Sequence, residues 1–346
     1  MILFFLLLIV LILSGVRLCC KGFYSDYLSF DTTNAIKGVF ICLVFISHIT
    51  PYILNSGYQF DDGIWSRLFL FFRGQIGQWI VAMFLFYSGY GIMESIKKKG
   101  LQYVISIPRK RVLTTLVNFD VAVALYAVIA LILHKDYSLK EYLLSFIGWE
   151  DVGNSNWYIF VIMLCYLIAY ICFRKHTYIH TYAKQVALCI VLLILSILAL
   201  SFVKPGWWYD TMLCFGLGII FSSLRERLEP VMKRYYFLIL LILLVLLIAL
   251  GSIPYYMKGL VYNAYCIVFC LLVVMLTMKF KINNTPLIWA GKHLFPLYIY
   301  QRVPMIILSS IYGGAFVASY PVLYTFACLL ITLLFAHFYK YWAVKL

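Results

Sequence analysis

Charge is what this sequence has least of. Asp, Glu, Lys and Arg make up 12% of its 346 residues, and only 13 residues are acidic. A soluble globular domain carries roughly twice that share of charge, so a water-soluble fold is excluded. A low-complexity linker, a repeat at solenoid period and a polar stretch long enough for a soluble domain are also missing. The ten cysteines fall mostly inside apolar runs with no short-loop framework, which points to buried free thiols rather than disulfides or a metal centre. Cys266 and Cys270 can share a helix face, yet two thiols do not complete a zinc site. His176 and His180 have the i, i+4 spacing of helical ligands but lie in a basic loop without a nearby carboxylate, so no metal is expected there.

What is present is apolar side chain. The sequence is 65% hydrophobic with a mean hydropathy of +0.96, the composition of an all-α, multi-pass membrane helix bundle. Aromatics reach 18%, with 29 Tyr and 8 Trp, many at the ends of apolar runs where rings sit at the headgroup level. The net charge of +15 is then loop charge beside anionic membrane lipid, and a nucleic-acid partner is not expected.

A bilayer core of about 30 Å takes about 20 helical residues to cross. Eleven apolar candidates lie near 2–19, 34–54, 76–96, 109–133, 157–173, 184–203, 207–223, 235–253, 259–278, 286–309 and 320–342. Bases gather in alternate connections, among them Arg17 and Lys21, then Lys97 to Arg111, then Arg174 and Lys175, while the other set holds Asp61, Asp62, Glu141, Glu150 and Asp151. Retention of bases on the cytoplasmic side places the N-terminus outside and the C-terminus in the cytoplasm. The first run has no base ahead of it and no Ala-x-Ala-like site behind, so it reads as an uncleaved helix.

The most informative residues are Lys37 and His48, in one apolar stretch. Eleven residues are about three helical turns, which puts both side chains on one face roughly 16 Å apart. Ionisable groups inside a membrane helix are costly and mark function by default. The alternative is that Lys37 snorkels at the helix end while His48 is a hydrogen-bonded packing residue. A neutral imidazole can act as general base on a hydroxyl, and an amine near the inner mouth can hold an anionic group. Asp120, at similar depth, either accepts an imidazole N–H and fixes its tautomer or is protonated and bonded to a neighbouring helix with Asn118. The bases Lys97, Arg109, Lys110 and Arg111 either set topology or bind the phosphates of a nucleotide-bearing donor, for which guanidinium groups suit bidentate contacts. Asn156 and Trp157 open the fifth segment as an interface anchor or as an edge that recognises a sugar ring. Gln301 and Arg302 fall inside the tenth segment, where an arginine must line a cavity or close an ion pair.

The run DTTNAIKGVFICLVFISHI resembles the opening motif of the acyltransferase-3 membrane proteins, an arginine, ten residues and a histidine regarded as essential. WIVAMFLFYSGYGIM is similar to that family's aromatic run ending in Ser-Gly-Phe or Ser-Gly-Tyr, NWYIFVIMLCYL to its Trp-Phe-Leu segment, and WAGKHLFPLYIYQ to its late Gly-x-x-Ser-x-x-x-Tyr-x-x-His segment. The resemblance implies a core of about ten helices that moves an acyl group, usually acetyl from acetyl-CoA, onto a hydroxyl of a carbohydrate or lipid-linked glycan, with no bound cofactor. It implies that His48 is catalytic and that Lys37 takes the arginine's place, keeping the charge but losing the bidentate contact. Lys37, Lys97, Arg109, Lys110 and Arg111 are then candidates for the donor, and Ser88, Tyr90, Asn156, Trp157, Gln301 and Arg302 for the acceptor or cavity wall. Gln301 stands where the family commonly has histidine. Residues 1–30 read as an extra helix and linker ahead of a membrane domain over 31–346, and a bacterial inner membrane is the expected location. The rival function is a transporter or flippase using the same His, Asp and Arg as a relay, but no pair of interrupted helices in matching halves supports it.

Overall fold

The computed structural model describes residues 2–76, 78–175, 182–253 and 261–346; His176 and His180 lie outside the described residues. Long apolar runs leave backbone N–H and C=O groups no partner but each other, and the chain folds almost wholly into helices. In order these are α1 (Ile2–Gly15), α2 (Phe30–Asn55), α3 (Ile64–Ile76), α4 (Trp79–Ile107), α5 (Thr114–Ile132), α6 (Leu139–Ser145), α7 (Trp157–Phe173), α8 (Ala183–Ser201), α9 (Leu213–Arg234), α10 (Tyr236–Ser252), α11 (Val261–Lys279), α12 (Thr285–Lys292), α13 (Leu294–Tyr300), α14 (Arg302–Ser319) and α15 (Pro321–Phe338). A π-helical turn, Pro108–Leu113, joins α4 to α5. Two three-residue strands, β1 (Val16–Leu18) and β2 (Phe280–Ile282), pair antiparallel and tie the end of α1 to the α11–α12 connection.

Among the described residues, six helices are long and apolar enough to cross a membrane, or seven if α9 and α10, bent by 97° at their junction, count as one span. The eleven expected segments are not resolved by that measure, for identifiable reasons. Helices α1 and α7 are apolar but only 14 and 17 residues long. The third and fourth segments run together through the π-helical turn, with the break at Gly100, whose φ is +59°. The first helix docks on the bundle through Phe5, whose ring meets Phe69 and Phe72 of α3 at 5.9 and 5.6 Å.

Helix α4 is the centre of the bundle, with every residue from Ile80 to Tyr87 buried. An unbroken apolar run suits a helix enclosed on all sides. Helices α8 and α10 instead expose Val191, Leu195, Leu241 and Val245, as lipid-facing helices do. Two crossings are unusually close. A Cβ on Gly89 or Gly218 would overlap the backbone of the other helix in the α4–α9 pair, and one on Gly38 or Gly291 would do so between α2 and α12. Glycine permits this approach, and dispersion between backbones then supplies the attraction that water cannot provide inside lipid. Helix α2 itself starts at Ser29, whose hydroxyl caps the Thr32 amide, and continues past Pro51 to a length of 26 residues.

Candidate functional site

Cavities are strung along α2. At one end is a basic chamber of about 340 Å³, lined by Thr33, Lys37, Tyr87, Ser88, Tyr90, Ser95, Arg111 and Tyr166. It shares Phe30, Lys37, Ser88 and Tyr166 with a middle chamber of about 330 Å³, whose walls add Asn34, Tyr158, Lys292 and Tyr298. Next along α2 is a cavity of about 60 Å³ formed by Ser47, His48, Gln78, Ile80, Trp157 and Tyr298. Beyond it lies a far chamber of about 260 Å³, with Tyr52, Tyr126, Tyr137, Asp151, Arg302 and Ser309. Asn34, Lys37, His48 and Tyr52 recur at three, eleven and four residues, a helical stripe that puts one face of α2 into all four cavities.

The electrostatics of the basic end are one-sided. Lys37 is half-buried, its ammonium 5.7 Å from the centre of the Tyr87 ring. Neither Lys37 nor Arg111 has an ion pair among the described residues, and neither chamber has a carboxylate in its lining. Two uncompensated cations at the wall of a cleft favour an anionic ligand. Arg111 comes from the π-helical turn, a distortion frequent at functional sites because it re-aims side chains.

His48 is half-buried, and its Nδ1 is buried without a hydrogen-bond partner. Its charged neighbour is Arg302, not Asp120. Of the two alternatives for Asp120, the contact with His48 is not formed: no hydrogen bond or ion pair joins them, and Asp120 Oδ1 is itself unpartnered. The reason lies in α5, which turns Tyr126 to the α13–α14 junction, where its hydroxyl donates to the Ile299 carbonyl at 2.8 Å. At about 100° per residue, Asp120 sits about 120° round the helix from Tyr126. Asn118 is occupied with the C-terminal tail, bonding Val344 in both directions at 2.9 Å. Asp120→Asn should consequently leave acyl-transfer turnover unchanged, measured per amount of membrane-inserted protein; a large loss would mean that Asp120 reaches His48 during the reaction.

The other sequence candidates divide. Of the basic cluster Arg111 lines the basic chamber, although it is exposed like Arg109 and Lys110, which line none of these four cavities; Lys97 is paired with Glu94 at 3.1 Å and bonded to the Ser222 carbonyl, fastening α4 to α9. Ser88 and Tyr90, expected at the acceptor or in a cavity wall, line the basic chamber, because α4 turns them to Lys37. The Tyr90 hydroxyl accepts from Arg225 at 2.9 Å, and Arg225 is held by Glu229 at 3.1 Å. Trp157 lines the His48 cavity, whereas Asn156 is buried and donates to the Gly148 carbonyl at 3.1 Å. Gln301 is fully buried and donates to the Tyr298 carbonyl at 2.9 Å, so it braces the α13–α14 turn and lines none of these cavities. Arg302 reaches the far chamber and donates to the Asn154 carbonyl at 3.1 Å.

Asn34, Tyr158, Tyr166 and Tyr298 are site residues that the sequence reading missed. Asn34 was detectable as the polar residue one turn before Lys37. Tyr298 was detectable as the tyrosine of the late Gly-x-x-Ser-x-x-x-Tyr-x-x-His segment, whereas Tyr158 and Tyr166 carried no such signal, since 29 tyrosines are spread through a chain where most serve as packing or interface rings.

No curated protein and no solved structure matches the chain. The family model of the acyltransferase-3 acyltransferase domain matches residues 31–339, from the first turn of α2 to the end of α15. With nearly its whole length matched, and with a helical membrane-type bundle, the chain belongs to the acyltransferase-3 family.

Proposed function

We propose that the protein is an O-acyltransferase that moves an acetyl group from cytosolic acetyl-CoA to a hydroxyl of a surface carbohydrate or lipid-linked glycan. The observation that carries this reading is the convergence of Lys37 and Arg111, without a carboxylate, on a chamber that leads along α2 to His48. The phosphates of the donor sit against these two cations, and the pantetheine arm runs past Ser88 through the middle chamber, bringing the thioester to the His48 cavity. The acceptor enters by the far chamber, where tyrosines, Ser309, Asp151 and Arg302 offer the mix of rings and polar groups that binds sugars. His48 takes the hydroxyl proton as general base.

The alternation of basic loops supports an orientation with the Arg111 end in the cytoplasm, the N-terminus outside and the C-terminus inside. About eleven crossings result when the short helices α1 and α7, the two sides of Gly100 and the two arms of the α9–α10 bend are each counted. A bacterial inner membrane fits an enzyme that draws acetyl-CoA from one side and modifies glycans on the other.

The test is acetyl transfer by the purified full chain in nanodiscs, followed with radiolabelled acetyl-CoA and extracted lipid-linked glycan. Arg111→Gln should raise the KM for acetyl-CoA by roughly 10- to 100-fold, the loss of one charged hydrogen bond, with a smaller change in kcat. A wild-type protein that neither binds acetyl-CoA nor transfers the label sinks the reading.

A further inference from the structure

The middle chamber and the His48 cavity have one lining residue in common, Tyr298 on α13. Its side chain is 3% exposed, and its hydroxyl faces Ser155 without a hydrogen bond of 3.5 Å or less. A buried phenol ordinarily finds a close partner, so a loosely held hydroxyl in the wall shared by two cavities can turn to a ligand atom. The ring lies 6.2 Å from the His48 ring and edge-on to Tyr158 at 5.4 Å, and the Gln301 side chain bonds the Tyr298 carbonyl. Packing and backbone thus set the position of the hydroxyl before any substrate arrives.

We propose that Tyr298 is a catalytic residue, its hydroxyl donating a hydrogen bond to the thioester carbonyl oxygen as that atom becomes an oxyanion. The inference rests on the acyl-transfer reading above. The acceptor oxygen bonds to the carbonyl carbon while its proton passes to His48, and the carbonyl π pair moves onto the oxygen facing Tyr298. When that pair returns, the C–S bond breaks and His48 delivers the proton to the departing sulfur. The products are the ester and free CoA thiol, and Tyr298 keeps its proton throughout. A fixed donor is effective because it needs no reorganisation as charge develops.

The experiment uses native membrane vesicles of the source cell, with the gene deleted and each variant restored, supplied with radiolabelled acetyl-CoA. Tyr298→Phe should lower turnover roughly 10²- to 10³-fold with an unchanged KM for acetyl-CoA, the signature of an interaction made only in the transition state. Turnover near the wild-type value, or a loss carried entirely by KM, overturns the assignment while wild-type labelling leaves acyl transfer standing. Absence of labelling by the wild type overturns both. If Tyr298→Phe fails to accumulate, the nearly isosteric 3,5-difluorotyrosine at this position decides: its more acidic phenol should raise turnover at about pH 6, and an unchanged rate overturns the proposal.

Discussion

His48→Ala is expected to lower acyl transfer by roughly 10²- to 10⁴-fold, the usual contribution of a general base, while the protein still inserts and accumulates. A packing histidine would be hydrogen-bonded, and its loss would damage the fold. His48 instead leaves Nδ1 without a partner and faces a small cavity with Ser47, Trp157 and Tyr298. Its removal therefore breaks no internal hydrogen bond of the ring nitrogen. The measurement is radiolabel transferred per amount of protein in membranes, with Asp120→Asn as a partner variant that keeps its turnover. Wild-type rates in His48→Ala would remove the histidine from the mechanism.

Gly38→Ala is the second large effect, and it acts through structure. An added Cβ would overlap the Leu287 carbonyl oxygen and stand 2.6 Å from its carbon, while one on Gly291 would do the same to Asn34. Both obstacles are backbone of a facing helix, so neither can rotate away, and α2 and α12 must separate. Overpacking of this kind costs typically about 1–3 kcal/mol, with more expected where no side chain can yield. The apparent melting temperature in detergent should fall by several degrees. Because Lys37 and Asn34 ride on the displaced face, turnover should drop as well. Combining Gly38→Ala with Gly291→Ala should cost less than the sum of the two, since the first separation already relieves the second clash. Gly74→Ala on α3, where a new Cβ meets nothing within 4 Å, is the control and should not lower stability. An unchanged melting temperature in Gly38→Ala would mean that the helices are not in backbone contact.

The site was legible where its cost was visible. Lys37 and His48 stood out because ionisable groups in an apolar helix need a reason, and both line cavities. Asp120 attracted notice by the same logic, but rotational position on α5 depends on which neighbours the helix packs against, and these are distant in sequence. Lys97, Arg109 and Lys110 were indistinguishable from Arg111 as loop bases; the π-helical turn separates them by turning only Arg111 into the chamber. Tyr298 falls on the tyrosine of the late segment that WAGKHLFPLYIYQ resembles, but local sequence could not place it beside His48, which lies 250 residues earlier.

Composition and the spacing of charges were enough to establish a helical membrane protein and the shared face of Lys37 and His48, because lipid leaves a backbone few options and penalises each buried charge. Which residues meet required the packed bundle. Helix rotation, the close glycine crossings, the bend between α9 and α10 and the place of Tyr298 in the wall of two cavities are set by contacts between segments some of which lie 257 residues apart in the chain, as Asn34 and Gly291 do. Local periodicity has no access to such contacts.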